Sequence, residues 1–284
     1  MTSNNNPYQP MPMRIARMSM ETDDQSLMSF ELEFERQEDQ ERFFSLYRPG
    51  QFCQLSVFGK GEAPFGVASA AWEGDFVRFT VNKVGTLTRT MHAMRPGDPI
   101  GMRGPLGNGF PLEAWEGMNL VVVGGGCAFT TLYALVNHVL QPDVRAKYGE
   151  LMMIYGARTP GLFMYKADIA SWYDRRDIKF CQAIDVHQEG WCHYTGYVPD
   201  VTKEIGPSEE NAVAIVCGPP IMNRFTFPVL SDLGFPPERI YLSLEKRMKC
   251  GIGKCGRCNI GHEYICKDGP VFTLAQLQQL PNDL

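Results

Sequence analysis

The sequence predicts a multidomain α+β protein: an antiparallel β-barrel, then an α/β domain with a parallel sheet, then a small cysteine-rich module at the carboxy terminus. Three observations predict this organisation. Short alternating runs separated by turn residues fill the first part of the chain, and apolar strands then alternate with helical segments. Finally, four cysteines cluster near the end. We set the limits of the leader, barrel, α/β domain and module at residues 1–12, 13–112, 113–243 and 244–284.

Length, composition and charge exclude several classes of protein. A chain of 284 residues is long enough for two domains and an appendage. The net charge of −5 argues against a general nucleic-acid binder. Residues 1–7 are polar and predict a disordered leader rather than a signal peptide. Glycines, Asn137 and His138 interrupt the apolar stretch 120–140, so we expect no membrane span there.

The first domain is predicted from short strands. Residues 28–34 and 76–81 alternate between apolar and polar side chains. Pro-Gly turns introduce further strands at 51–57 and 99–103. Strands this short and this evenly spaced indicate a small antiparallel barrel.

One segment interrupts these strands. Gly85, Thr86, Leu87 and Thr88 precede a predicted helix, so free backbone N–H groups would point at one spot and suit a phosphate group. A capped connector between two strands explains the same residues equally well.

The middle domain opens with an apolar strand that runs into Gly124, Gly125 and Gly126, followed by a helix over 129–140. A strand, a glycine turn and a helix form the opening unit of a nucleotide-binding α/β fold. Further strands are predicted at 151–155, 178–183 and 212–217. The last one ends at Cys217-Gly218-Pro219, at the edge where open sheets bind ligands.

Several polar residues of this domain allow two interpretations. Cys217 could be a reactive nucleophile, but no histidine is near it in sequence and a buried packing cysteine is favoured. Arg158 and Lys166 could meet a ribose 2′-phosphate or could be solvated loop charges. His187, Cys192 and His193 lack a second pair of ligands, so we interpret them as loop residues.

The carboxy-terminal module carries Cys250, Cys255, Cys258 and Cys266, with four, two and seven residues between successive cysteines. Glycines between them permit the backbone to wrap tightly around one centre. The C-x4-C-x2-C spacing is that of plant-type 2Fe–2S ferredoxins. A closed zinc site is the main rival. Nine cysteines without a secretion signal indicate a reducing interior, the cytoplasm, which disfavours disulfides.

The first two domains resemble the ferredoxin–NADP reductase superfamily, through Pro64–Ser69, Gly85–Thr88, Gly104–Phe110 and the Cys217-Gly218-Pro219 turn. The resemblance implies that FAD contacts Ala68, Ser69, Gly85, Thr86, Leu87 and Thr88. It also implies that NAD(P)H contacts Gly124, Gly125, Gly126, Gly218 and Pro219, with Cys217 beside the reacting nicotinamide. Two departures stand out. The arginine that relatives carry before the serine is absent, and Cys127, Ala128 and Thr131 replace residues of the glycine loop.

The module resembles the gamma, or diaphorase, subunits of cytoplasmic nickel–iron hydrogenases and the B subunit of anaerobic sulfite reductase, and more loosely the electron-transfer subunit of dihydroorotate dehydrogenase. The resemblance covers Glu245–Cys258 and Tyr264–Phe272. It implies that the four cysteines hold a 2Fe–2S cluster. It also implies an NAD(P)H-dependent flavin/iron–sulfur oxidoreductase subunit, which moves electrons between NAD(P)H, FAD, the cluster and a partner redox enzyme.

Two alternatives remain open at this point. The chain could be an electron conduit that has lost nucleotide chemistry and is fed by protein donors, for which Ala128 and Thr131 speak. It could also be a structural subunit with a zinc-stapled tail. The sequence supplies no ligands for siroheme, nickel or molybdenum, so we expect the terminal catalytic centre on another subunit of a larger complex.

Overall fold

The computed structural model describes residues 6–281. The strands are Met11–Met20 (β1), Leu27–Phe34 (β2), Phe52–Val57 (β3), Gly61–Gly66 (β4), Phe76–Asn82 (β5), Pro99–Leu106 (β6), Asn119–Gly125 (β7), Leu151–Ala157 (β8), Lys179–Ile184 (β9), Tyr194–Thr195 (β10), Ala212–Cys217 (β11), Ile240–Ser243 (β12), Asn259–Ile260 (β13), Glu263–Tyr264 (β14) and Val271–Thr273 (β15).

The α-helices are Gln37–Leu46 (α1), Thr86–His92 (α2), Phe129–Val139 (α3), Pro142–Arg145 (α4), Lys166–Tyr173 (α5), Val198–Ile205 (α6), Pro220–Asp232 (α7) and Leu274–Gln278 (α8). Short 3-10 turns lie at Leu112–Trp115, Gly126–Ala128, Pro160–Leu162 and Pro237–Arg239. No helix within residues 6–281 is both long enough and apolar enough to cross a membrane.

The first domain is an antiparallel sheet of six strands in the order β4-β3-β6-β1-β2-β5. Alternate side chains point into an apolar core that includes Met13, Phe30 and Phe79. The predicted antiparallel barrel is therefore confirmed. Strand β1 begins at Met11, so Met11 and Pro12 of the predicted leader are part of the barrel sheet. Residues 1–5 of that leader lie outside the described residues.

Backbone hydrogen bonds close the barrel just beyond β4. The Ala68 N–H donates to the Arg78 carbonyl at 2.8 Å, and the Arg78 N–H donates to Ser69 Oγ at 3.0 Å. The Tyr47 hydroxyl donates to the Ser69 carbonyl at 2.8 Å. These bonds hold the segment after β4 against the opposite edge strand, β5.

The second domain is built on a seven-stranded sheet in the order β10-β9-β8-β7-β11-β12-β15. The strands from β10 to β12 run parallel, which confirms the predicted α/β fold with a parallel sheet. The edge strand β15 is antiparallel and comes from the predicted cysteine module. The strand order reverses between β7 and β11, where open sheets of this kind bind ligands.

The carboxy-terminal module packs its own small core against both larger domains. Ile260, Ile265 and Phe272 of the module pack with Phe52 of the barrel and Leu242 of the sheet. A short hairpin of β13 and β14 lies within it.

Asn108 at the end of the barrel joins the module by several hydrogen bonds. Its backbone N–H donates to the Gly269 carbonyl at 2.6 Å, and its Nδ2 donates to the Val271 carbonyl at 2.8 Å. The Val271 N–H donates back to its Oδ1 at 2.9 Å. The module is therefore attached to the barrel through Asn108 and to the sheet through β15.

Aromatic side chains fill the region between the barrel and the second domain. Phe129 stacks on Tyr155, with ring centroids 3.6 Å apart, and Tyr133 stacks on Tyr165 at 3.9 Å. The Tyr165 hydroxyl lies 2.5 Å from Thr80 Oγ1 of the barrel. The two domains therefore share an apolar interface with hydroxyl contacts across it.

Arg78 is the charged centre of this interface. Its guanidinium lies 3.1 Å from Glu31 and 3.3 Å from Glu73, and it donates to the Tyr133 hydroxyl at 3.2 Å. The side chain of Arg78 is only 15% exposed. Burial raises the pKa of Glu73 above its ordinary value, so this carboxylate depends on its partners to remain charged.

Replacing Arg78 by Met should lower the free energy of unfolding by about 3 kcal/mol, because two largely buried carboxylates lose their cation. Urea denaturation followed by circular dichroism measures this. Arg176→Met, which removes an exposed arginine, is the matched control and should stay within about 0.5 kcal/mol of the unmodified chain. Equal losses in the two variants would show that the interface does not depend on this network.

Candidate functional site

The two turns predicted to bind a nucleotide lie side by side at the carboxyl ends of β7 and β11. Cys217 is directly opposite Gly124 in the parallel register. A methyl group added to Gly124 would lie 2.8 Å from Leu132 Cδ1, and one added to Gly125 would lie 2.5 Å from Met222 Sδ. At these glycines the strand packs closely against α3 and α7, and a larger residue would have to displace Leu132 or Met222. Gly126 has a φ of +59° and starts the turn into α3.

Ala128 and Thr131 have packing roles that the sequence did not show. Ala128 is 5% exposed and belongs to the main apolar core. Thr131 is 8% exposed, and a methyl group added to Gly66 of the barrel would lie 2.7 Å from its Oγ1. The Ala128 methyl group is thus buried in the core, and Thr131 packs against the end of β4. Neither departure from the glycine loop of relatives speaks against a nucleotide site.

Cys217 has a buried thiol. It is 2% exposed, and its Sγ donates to the Ser243 carbonyl at 3.6 Å. Burial, together with nearby Glu245 and Cys127, raises the pKa of the Cys217 thiol. This environment disfavours the thiolate and agrees with a packing role. Pro219 in the same turn is exposed, and Gly218 is half-buried.

The charged and metal-ligating residues singled out elsewhere in this domain have local partners. Lys166 Nζ lies 2.7 Å from Asp23 Oδ1 of the barrel. His193 Nδ1 lies 3.3 Å from the Tyr173 hydroxyl, and the two rings stack. Arg158 follows β8 on the surface; burial raises the pKa of Asp185, and the charge of Arg158 opposes that rise only in part. A 2′-phosphate at this edge would compete with acidic neighbours for these cations.

The strand predicted to face a flavin is accessible only in its first half. Ala68 is fully buried and Ser69 is 1% exposed, because both residues take part in closing the barrel. Phe65 and Gly66, just before them, are half-buried and border the second domain at Thr131. Phe65 also packs against the barrel core, so the described structure places this segment between the barrel and the second domain.

The segment Gly85–Thr88 forms the capped helix start that the sequence predicted, and the phosphate site there stays a prediction. Thr88 Oγ1 accepts hydrogen bonds from the Val84 N–H at 3.0 Å and the Gly85 N–H at 2.8 Å, so it caps α2. Leu87 packs in the barrel core. The first N–H groups of a helix have no partner within it. A methyl group added to Gly85 would meet no atom within 4 Å, so the space before Gly85 and the exposed Thr86 is open.

The four predicted metal ligands lie on one tightly wound loop. Its glycines all have positive φ: Gly251 (+72°), Gly253 (+72°), Gly256 (+68°) and Gly261 (+57°). The Cys250 thiol is close to that of Cys255, and the Cys266 thiol is close to those of Cys258 and Cys250. The four thiols therefore lie near one another. Cys255 is exposed and the other three are buried.

Backbone N–H groups are directed at these sulfurs. Lys254 N donates to Cys250 Sγ at 3.2 Å, and Gly253 N donates to Cys266 Sγ at 3.0 Å. Burial opposes the thiolate form of Cys250, but the surrounding N–H groups outweigh it and lower the pKa to about 6. Burial and the neighbouring Cys258 raise the pKa of Cys266 to about 12. The loop therefore already contains donors that stabilise negative sulfur.

Four neighbouring thiols suit a closed metal centre with sulfur ligands. A zinc site needs four ligands around one centre. A 2Fe–2S cluster is held by four cysteines distributed over two irons. The four cysteines, and the N–H groups directed at the sulfurs of Cys250 and Cys266, fit such a cluster.

The outer face of the barrel supports the loop, which the sequence reasoning also missed. Arg103 on β6 is 4% exposed and donates to the Cys250 carbonyl at 3.1 Å. Its guanidinium forms a bidentate ion pair with the Glu62 carboxylate, with N–O distances of 2.5 and 2.8 Å. A methyl group added to Gly251 would lie 2.9 Å from Leu106 and 3.3 Å from Gln54 Nε2. In the sequence, the only signal was a charged residue within a strand of small and apolar residues.

Two family models match the chain. Residues 122–227 match the oxidoreductase NAD-binding domain, and residues 245–278 match the iron–sulfur cluster binding domain of dihydroorotate dehydrogenase B. The fold and these two domains define an oxidoreductase of the ferredoxin reductase type, with an NAD-binding domain and an iron–sulfur cluster-binding domain.

Curated relatives narrow this class. The chain is 34% identical to the sulfhydrogenase 1 subunit gamma of Pyrococcus furiosus, over 99% of this chain and 96% of the relative. It is 33% identical to the probable dihydroorotate dehydrogenase B (NAD(+)) electron transfer subunit of Thermococcus kodakarensis, over 80% of this chain and 84% of that one. The chain therefore belongs to the family of electron-transfer oxidoreductase subunits that includes these proteins, and the predicted resemblance is confirmed.

Solved structures share the fold. An NADH-dependent reduced ferredoxin–NADP oxidoreductase, studied for flavin-based electron bifurcation, superposes with a TM-score of 0.74 at 24% identity, over 95% of this chain and 90% of that chain. A ferredoxin–NADP+ reductase from Neisseria gonorrhoeae with bound FAD and NADP gives a TM-score of 0.68 at 20% identity, over 82% of this chain and 98% of that one. At these identities the similarity establishes the fold alone.

Replacing Cys255 by Ser should remove the iron and sulfide bound to the chain, because a hydroxyl is a much poorer ligand for iron than a thiolate. Iron and sulfide analysis with visible absorption measures this. Cys192→Ser removes another exposed cysteine outside the module and should retain full iron and sulfide. A Cys255→Ser protein with unchanged iron and sulfide would show that the ligand set is wrong.

Proposed function

We propose that this chain is an electron-transfer flavoprotein subunit that moves electrons between NAD(P)H, FAD and a 2Fe–2S cluster, to or from a partner redox enzyme. Residues 13–112 would bind FAD, residues 113–243 NAD(P)H, and residues 244–284 the cluster. We also propose a cytoplasmic location, which is supported by nine cysteines that are all free thiols.

The observation that carries this proposal is the position of strand β3. Gln54 on β3 is paired with Pro64 of β4 on one side and with Arg103 of β6 on the other. We call β4 the flavin strand, because the predicted flavin contacts Ala68 and Ser69 follow it. Gln54 and Arg103 contact the cluster loop at Gly251 and Cys250. Because neighbouring strands are about 4.8 Å apart, the flavin strand lies one strand spacing from the wall that supports the cluster loop.

The cofactor set is chemically consistent. Flavin is the cofactor that exchanges a hydride with a nicotinamide and single electrons with an iron–sulfur cluster. The chain's own residues would bind and orient these groups. The first turn of α2 offers N–H donors to a phosphate. The ends of β7 and β11 form the nucleotide edge, and the four cysteines hold iron.

Two observations weaken the alternatives. The conduit without nucleotide chemistry was based on Ala128 and Thr131, and both are explained by packing. The zinc-stapled tail is disfavoured because residues 245–278 match an iron–sulfur cluster binding domain. We therefore favour the function that uses all three cofactors.

The exit for electrons to a partner is proposed at Cys255, the exposed ligand of the loop. The name of each of the two relatives describes a subunit, which supports an assembly with a partner that carries the terminal centre. Basic side chains are exposed in the same loop, and we call them the basic collar: Arg247, Lys249, Lys254 and Arg257. Glu245 is the exposed acid beside them. On a chain of net charge −5, this local positive charge favours an acidic partner surface.

An anaerobic absorption titration of the purified chain with NADH, and separately with NADPH, tests the proposed function. Iron, sulfide, zinc and flavin are counted in the same sample. We expect one FAD and two irons per chain, and bleaching of the flavin and cluster bands by at least one nucleotide. If both chromophores are present and neither nucleotide reduces them, the conduit without nucleotide chemistry is the correct function. A chain that contains zinc and no flavin would contradict both.

Reversing the charge of the collar with Lys254→Glu/Arg257→Glu should slow reduction of an acidic ferredoxin by the NAD(P)H-reduced chain about tenfold at low ionic strength, because electrostatic steering is lost. Stopped-flow absorption measures the rate. The effect should shrink as salt rises.

Lys60→Glu/Lys203→Glu makes the same change in net charge with exposed lysines outside the module, and it is the matched control. Cytochrome c, a basic acceptor, should not be reduced more slowly by the collar variant. Equal slowing in the collar and control variants would mean that net charge, and not a docking surface at the cluster, governs the reaction.

A further inference from the structure

Gln54 carries a buried amide without a partner. The residue is 1% exposed, and its Nε2 atom has no hydrogen-bond partner within residues 6–281. A buried donor without a partner is unfavourable, because it has lost its hydrogen bonds to water. Groups of this kind call for an explanation such as a missing ligand.

The position of Gln54 indicates which ligand is missing. Its neighbours Cys53 and Leu55 point into the barrel core, so Gln54 points outward with Phe52, which packs in the core of the cluster module. Nε2 lies against Gly251, where an added methyl group would be 3.3 Å away. Gly251 directly follows Cys250. The unpaired Gln54 amide therefore lies next to the start of the cluster loop, beside the residue that follows Cys250.

The surroundings of Gln54 are held in place. Arg103, its cross-strand neighbour, is committed to Glu62, to the Pro7 carbonyl at 3.0 Å and to the Cys250 carbonyl at 3.1 Å. All three guanidinium nitrogens therefore have acceptors, and one of them holds the loop on the barrel. On this outer face of the barrel, the Gln54 amide is therefore a buried donor without a partner among the described residues.

We propose that the Gln54 side-chain amide donates a hydrogen bond to a sulfur of the cluster beside Cys250 and raises its reduction potential. This inference rests on the proposed function, because it requires the cluster to occupy the loop. Reduction adds negative charge to the cluster, and an N–H donor to sulfur stabilises that charge more than it stabilises the oxidised form. Gln54 is then a positioning and tuning residue on the side of the cluster that faces the flavin strand.

Redox titration followed by electron paramagnetic resonance tests this. Gln54→Met keeps the length of the side chain and removes the donor. The reduced cluster should be destabilised about tenfold relative to the oxidised cluster, which is about 59 mV for a one-electron couple. Gln54→Glu places a carboxylate in the same position and should lower the potential further.

Gln182→Met is the matched control. Gln182 lies on β9, outside the module, and is also buried, at 7% exposure, but its Oε1 accepts from the Tyr173 hydroxyl. Its replacement should leave the potential unchanged. A Gln54→Met protein with the full cluster and an unchanged potential would refute the inference while leaving the proposed function intact.

A second measurement needs no variant. In the full chain labelled with ¹⁵N in glutamine side chains, pulsed resonance on the reduced cluster should show coupling to an amide nitrogen. The absence of any such coupling would overturn the inference. If the unmodified chain binds no iron–sulfur cluster, the proposed function fails and this inference fails with it.

Discussion

The attachment of the cysteine loop to the outer face of the barrel is the constraint on which the rest of the structure depends. Arg103 ties Cys250 to β6 and is itself neutralised by Glu62, so a buried charge is used with both partners present. Removing one member of such a pair leaves an uncompensated buried charge, so the contact depends on both residues. Together they hold the start of the cysteine loop against β6.

Further contacts join the three parts of the chain into a single body. Strand β15 of the module completes the nucleotide-binding sheet, and Asn108 joins the barrel to the segment just before it. Arg78 and the stacked tyrosines hold the barrel on the second domain. Electron transfer between bound cofactors depends on fixed distances, and a module that forms part of both neighbours has little freedom to move.

The proposed sites and the exposed basic residues lie at different positions on the chain. The proposed nucleotide site lies at the ends of β7 and β11, the proposed flavin site lies on the barrel, and the cysteine loop presents Cys255 to solvent between basic side chains. The buried amide of Gln54 faces the inner side of that loop. The inner side is thus suited to tuning the cluster, and the outer side to meeting a partner.

Much of this could be predicted from the sequence, because the signals are local. The strand and glycine turn before α3, the alternating barrel strands, the spacing of the four cysteines and the capped start of α2 depend on residues close together in the chain. Only the tertiary structure decided that Ser69 closes the barrel, that the Ala128 methyl group lies in the core, that β15 belongs to the larger sheet and that Gln54 and Arg103 support the cluster loop. Those roles come from contacts between residues distant in sequence, and neither periodicity nor spacing records which outward-facing side chain of a strand another domain will cover.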